Sequence, residues 1–296
     1  MRLSLGPVLY YWQRDALLEF YANLPHARLG TVYLGEAVCG KRHGMRPDDW
    51  MGLARDLAQT GLQVVLSTQA LIESDVDLRA MRRVAENGEF LVEANDMGAV
   101  HALAGSVRFV AGPHLNVYNP QTLAWLAELG ALRWVMPVEL GRDALAQVLR
   151  ESPAGIETEV FAYGRLPLAF SARCFTARHY NLPKDDCQFR CLDHPDGMPL
   201  ATREGQPFLA LNGIQTQSAQ VYDLAGALPD LRALGVGLLR ISPQSSGTNG
   251  VIEAYHRGLE GELSGADLEA ALAPHRLTDP CNGYWYGKPG IERAAA

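Results

Sequence analysis

The chain carries five cysteines, Cys39, Cys174, Cys187, Cys191 and Cys281, and they are the residues whose type and spacing most directly suggest chemistry. Cys187 and Cys191 form a C-x3-C pair in DDCQFRC, and Cys174 lies thirteen positions upstream of the pair. Thiolates with three residues between them can converge on one metal or cluster from a single helical turn or a tight loop. Their neighbours Asp185, Asp186, Gln188 and Arg190 are polar and do not describe a core. Four thiolates, Cys39 included, suit a structural zinc or a 4Fe-4S cluster, and spacing alone leaves both open. The alternative for any single cysteine is a small buried hydrophobe. Cys281, set among Asn, Gly and aromatics in PCNGYWYGKPG, reads that way and is expected to ligate nothing.

Cysteines this scattered need a scaffold to bring them together. Short β-branched or aromatic runs near 2–11, 29–36, 63–68, 90–94, 107–111, 132–138, 156–163 and 236–242 read as strands. Amphipathic patterns lie between them. Asp48 to Thr60 repeats apolar residues at spacings of three and four, with Asp48 as the expected N-cap and Gly61 as the stop. Ser74 to Glu86 and Pro120 to Leu129, the latter opened by Asn119, read as further helices. Repeated βα units require a parallel sheet covered by helices, and about eight strands in this length favour a (β/α)8 barrel over an open sheet. The turn after the first strand, YYWQRDALLEF, has no glycine, which argues against a Rossmann phosphate site. One barrel-like domain is expected over residues 1–296, with a long insertion at 171–234 after the seventh strand that carries three of the four candidate ligands. In such a barrel Cys39, after the second strand, and Cys174, after the seventh, emerge on the same C-terminal face.

Other polar residues fall on that face. Lys41, Arg42 and His43 follow Cys39 closely and would suit an anionic ligand, a charge near a cluster, or merely a solvated loop. His114 and Asn116 follow the fifth strand, and Glu93 ends the fourth, placed to be a general base or an arginine's partner. No catalytic residue is assigned. The 296 residues carry a formal net charge of −7, with 48% hydrophobic and 20% charged residues, which excludes disorder and argues against a nucleic-acid coat. The N-terminus lacks a signal-peptide pattern and no run is long enough to span a bilayer, so a soluble cytoplasmic protein is expected. Neither H-E-x-x-H nor G-x-S-x-G is present.

The segment EVFAYGRLPLAFSARCFT, Glu159 to Thr176, resembles the collagenase-like peptidase signature E-x-F-x2-G-[SA]-[LM]-C-x4-G-x-C. Glu159, Phe161, Gly164, Leu166 and Cys174 match, whereas Arg165, Pro167 and Ala172 replace a small residue, the first signature cysteine and a glycine. Together with LGEAVCGKRHGMRPDDW, LVEANDMGAV and AGPHLNVYN, these departures resemble the branch of that family that serves oxygen-independent ubiquinone biosynthesis. The resemblance implies a 4Fe-4S cluster on Cys39, Cys174, Cys187 and Cys191, with no place for Cys281. It implies a heterodimer with a UbiU-like homologous subunit bearing its own cluster, hydroxylation of an aromatic quinone precursor without dioxygen, and prephenate as hydroxyl donor. A UbiT-like lipid-binding protein would handle the intermediates. Two other readings stay open: an RNA-hydroxylation factor or peptidase of the same superfamily, and a zinc-stabilised scaffold without catalysis.

Overall fold

The computed structural model describes residues 1–294. Its strands are β1 (Arg2–Leu5), β2 (Thr31–Leu34), β3 (Gln63–Ser67), β4 (Leu91–Ala94), β5 (Phe109–Ala111), β6 (Ala131–Val135), β7 (Glu157–Phe170), β8 (Met198–Ala201), β9 (Pro207–Asn212), β10 (Gln215–Asp223), β11 (Leu238–Ile241) and β12 (Pro280–Cys281). Strands β1 to β7 pair in sequence order, and β11 closes the ring by pairing with both β7 and β1. Every pairing in the ring is parallel. The protein is therefore a TIM-like α/β barrel of eight parallel strands, with extra strands outside the ring.

The covering helices are α1 (Arg14–Ala22), α2 (Pro47–Gln59), α3 (Asp75–Ala85), α4 (Met97–Leu103), α5 (Pro120–Glu128), α6 (Arg142–Glu151), α7 (Phe175–His179), α8 (Leu228–Ala233), α9 (Thr248–Glu260) and α10 (Gly265–Leu272). Ser74 caps α3 by accepting from the Asp77 N–H, and Asn119 caps α5 by accepting from Thr122. The entry to α2 differs from the expected Asp48 cap. Arg46 is the cap residue and Pro47 takes the first helical position, where a missing N–H costs nothing. Asp49 then accepts from the Arg46 N–H at 2.9 Å. Among the described residues no helix is long and apolar enough to cross a membrane.

The alternation of side chains along each strand divides the interior. Leu3, Leu5, Val32, Leu34, Val64, Leu66 and Val92 belong to the main core, while Tyr33, Val65, Val110 and Val135 form a separate cluster. Among the buried strand residues are also charged groups: Glu93, Arg133, Glu159 and Arg240 are all at most 3% exposed. Glu159 accepts from Ser4 Oγ at 2.7 Å, Tyr33 OH at 2.5 Å and Arg240 Nε at 2.7 Å. Arg240 pairs with Glu93 at 2.8 Å and lies 4.0 Å over the Tyr33 ring. Arg133 donates to Tyr33 OH, Glu157 and Gln63. A lone charge inside a barrel would be very costly, so these residues survive burial only as a mutually bonded set.

The seventh strand is longer than the run read at 156–163. It continues to Phe170, leaves the ring near Gly164, and pairs antiparallel with β10, which continues into the β9 and β8 meander. Gly164 makes the departure possible. Its φ is +126°, a conformation that L residues rarely adopt, and an added Cβ would stand 2.5 Å from Ser242 Cβ. Gly164→Ala should lower stability by about 1–3 kcal/mol from backbone strain alone, before any clash. A urea unfolding midpoint equal to the parent's would show that the bend does not need glycine. The stretch 171–234 thus contains α7, the meander and α8, with α8 leading back to the ring strand β11.

Candidate functional site

Because the ring is parallel, the segments following β2 and β7 leave the same end of the barrel, and they carry Cys39 and Cys174. Both cysteines pack against one small apolar cluster of Leu9, Ala37, Val38 and Ile214. Glu36 shapes the first segment by accepting from the N–H groups of Val38 and Cys39 at 2.9 and 3.0 Å. Cys174 caps the short helix α7, its Sγ accepting from the Ala177 N–H at 3.4 Å. Between Cys187 and Cys191 the chain turns through two consecutive left-handed residues, Gln188 and Phe189, with φ of 51° and 52°. Of the two arrangements the C-x3-C spacing allowed, a helical turn or a tight loop, the chain takes the tight loop. The loop is tied back on its N-terminal side and at its turn: Lys41 bonds Asp185 at 2.5 Å, Lys184 pairs with Glu73, and Phe189 packs on Tyr11.

Cys39, Cys174, Cys187 and Cys191 are all free and part-exposed. They are close enough for charge on one to act on the next: Cys174 on Cys39, and Cys174 and Cys187 on Cys191. Burial pushes the Cys39 thiol up to about 11 and raises that of Cys191, and Arg42 opposes the rise at both. Both are therefore protonated thiols near neutral pH, and a bound metal group would have to displace those protons. Arg42 is the fixed cation of the site. Its side chain is 2% exposed, and it donates to Leu9 O at 2.8 Å and Asn212 Oδ1 at 2.7 Å, with Glu36 at 3.5 Å. Cys281 lies elsewhere. It pairs with Tyr222 through β12, is buried in the main core, and burial pushes its thiol up to about 12.

Several hollows open around this face. A cleft of about 420 Å³ is bordered by Cys39, Lys41, His43, Leu71, Lys184 and Ile214. At the barrel mouth a chamber of about 20 Å³ is bordered by Glu93, Asn95, His114, Phe161 and Arg240. A second cleft of about 250 Å³ shares Pro113, His114 and Pro167 with that chamber and reaches Leu71 of the first cleft.

Residues 19–294 match the sequence profile of peptidase family U32. The chain belongs to peptidase family U32. Among solved structures it is similar to a U32 peptidase at 12% identity and a TM-score of 0.46, covering 82% of this chain and 93% of that one. It is also similar to a truncated 3-deoxy-D-arabino-heptulosonate 7-phosphate synthase from Thermotoga maritima, at 10% identity and a TM-score of 0.37, covering 94% and 89%. A dihydrodipicolinate synthase matches at 12% identity and a TM-score of 0.38, covering 93% and 80%.

In this U32 protein the polar residues singled out from the sequence take different places. Lys41 and His43 border the first cleft, but Arg42 is not part of a solvated loop, because its guanidinium is buried under Tyr11 and bonded to Leu9 and Asn212. Glu93 and His114, far apart in sequence, meet at the barrel mouth, and Asn116 borders the outer cleft from a left-handed turn. Burial, with Arg240 adding, pushes His114 down to about 3, so its imidazole is neutral. Sequence reasoning missed Arg240 and Arg133. The available signal was one arginine inside each otherwise apolar strand run, GLLRIS and ALRWVM.

Proposed function

We propose that this protein is a UbiV-like iron-sulfur subunit of oxygen-independent ubiquinone biosynthesis, acting in the cytoplasm with a UbiU-like homologous subunit. The observation that carries the reading is the gathering of Cys39, Cys174, Cys187 and Cys191 at one end of a U32 barrel beside the buried Arg42. Four free thiols are the donor set of a 4Fe-4S cluster. A structural zinc, with bonds of about 2.3 Å, draws its thiolates to roughly 3.8 Å from each other. Among the described residues no three His, Cys, Asp or Glu side chains converge tightly enough for a single ion. Iron, sulfide and zinc analysis of anaerobically purified protein separates the cubane from zinc, and zinc without iron would overturn the reading.

Cys39, Cys174, Cys187 and Cys191 would hold the cluster, and when bound it supplies one-electron transfer, all four irons being taken by cysteine. Arg42 offsets part of the thiolate charge, and Glu36 fixes the Cys39 backbone through two hydrogen bonds. Lys41 and Lys184 hold the Cys187 loop to the barrel. The pathway, hydroxylation of the aromatic precursor and a UbiT-like lipid-binding protein rest on the sequence likeness around Cys39, Glu93 and His114. The test is to delete the gene and measure ubiquinone in cells grown with and without oxygen. Loss confined to anaerobic cells, restored by the intact gene, is expected; a normal anaerobic quinone content would refute the assignment.

A further inference from the structure

One buried cation stands where the cysteine-bearing segments meet. The Arg42 side chain is 2% exposed, and its backbone N–H donates to Cys39 O at 3.0 Å, which ties it to the first of those segments. Nη2 donates to Asn212 Oδ1 at 2.7 Å and lies so close to the next residue that a Cβ added at Gly213 would stand 3.1 Å from it. Gly213 in turn accepts from the Phe175 N–H at 2.8 Å, directly after Cys174. On its other side the guanidinium lies 5.7 Å from the centre of the Tyr11 ring, and Tyr11 packs on Phe189, between Cys187 and Cys191. Its charge acts on both Cys39 and Cys191.

This cation is incompletely compensated. Among the described residues the one carboxylate within ion-pair reach is Glu36, at 3.5 Å, and Nε is buried without an acceptor. A buried charge in that condition is stabilised by any negative charge brought beside it. Glu36 is as firmly placed as Arg42, because its carboxylate also accepts from the N–H groups of Val38 and Cys39. Two fixed charges of opposite sign therefore flank the cysteines. Four thiolates bring negative charge to this end of the barrel, and each electron taken up there adds one more. Where water is sparse, a fixed cation favours the electron-rich form and a fixed anion opposes it.

We propose that Arg42 and Glu36 form a fixed charge couple that sets the reduction potential of the four-cysteine centre, Arg42 raising it and Glu36 lowering it. Both are positioning residues, acting through Cys39 and Cys191 rather than as ligands. The proposal rests on the iron-sulfur reading and deepens it.

The test is a stepwise reduction of anaerobically purified, iron-loaded full-length protein with dithionite and mediators, the midpoint being read by EPR. Arg42→Met should lower the midpoint by at least a tenfold change in the reduction equilibrium, which is about 59 mV for one electron. Glu36→Gln, which keeps an oxygen for the two backbone N–H groups, should shift the equilibrium at least threefold the other way. Arg42→Lys keeps the charge and should stay within threefold of the parent. It and Glu36→Gln decide the matter if Arg42→Met does not fold. Opposite signs are the expected signature, since a purely structural disturbance has no reason to follow the sign of the charge removed. A lowered midpoint in Glu36→Gln, midpoints equal to the parent's in the folded Arg42→Met and Glu36→Gln variants, or loss of iron from folded Glu36→Gln would overturn the proposal. Unmoved midpoints in iron-loaded protein sink this proposal alone, whereas a parent that retains neither iron nor sulfide sinks the cluster reading with it.

Discussion

Cys174→Ser should abolish iron and sulfide retention and the visible absorbance of anaerobically purified protein while leaving the fold intact. Serine separates the two jobs of this residue. Cys174 caps α7 through its sulfur, and a serine hydroxyl is at least as good an N-cap, so the helix keeps its first-turn partner. What disappears is the thiolate, a soft donor to iron that a hydroxyl does not replace. The expected pattern is a melting temperature near the parent's with iron reduced to background. Cys281→Ala makes the opposite expectation. Its thiol is 1% exposed in the main core, so removal should leave a small cavity and cost roughly 1 kcal/mol or more, with iron unchanged. Iron retained by Cys174→Ser, or lost from Cys281→Ala, would break the ligand set. Zinc in place of iron in the parent would break the redox reading altogether.

The eight ring strands were legible because parallel strands covered by helices read as short apolar runs between amphipathic ones, and Ser74, Asn119 and Gly61 mark helix ends by ordinary capping chemistry. The long β7 was not. Its second half, RLPLAF, contains a proline and follows a glycine, both of which normally end a strand. The conflict is resolved only by tertiary pairing with β10, whose register is irregular there. The closeness of Cys39 and Cys174 followed from barrel topology, whereas the left-handed turn at Gln188 and Phe189 had no glycine to announce it. Arg42 shows the limit of reading charge as exposure. Nothing in GKRHG separates the buried arginine from the accessible lysine beside it; the difference lies in Leu9 and Asn212, remote residues that supply its acceptors.

Glu159→Gln should be among the most destabilising single substitutions in the chain, by about 3–5 kcal/mol, because it removes one charge from a buried ion cluster and leaves the others under-compensated. The side chain is fully buried; burial alone would raise its carboxyl, but Arg240 and Arg133 overcome that and hold it below the usual carboxylate range. Its folded value lies below the ordinary value of 4.5, so its contribution is complete above that pH and is lost as pH falls below it through the folded value. Parent stability should therefore fall in acid below about pH 4.5, and the Gln variant, lacking the group, should show a shallower decline. Ser4→Ala, which removes only one of the hydrogen bonds to the same carboxylate, should cost about 1 kcal/mol. Denaturant midpoints for the three proteins across acid pH supply the comparison. Equal losses for Ser4→Ala and Glu159→Gln would mean that the arginines find other partners and that the cluster is not a cooperative unit. The expected inequality would give the first residue of the family signature a structural meaning. Glu159 bonds the β11 arginine and, through Tyr33, ties in β2, while Arg240 reaches Glu93 at the chamber; the same carboxylate that stabilises the barrel orients the guanidinium at its mouth.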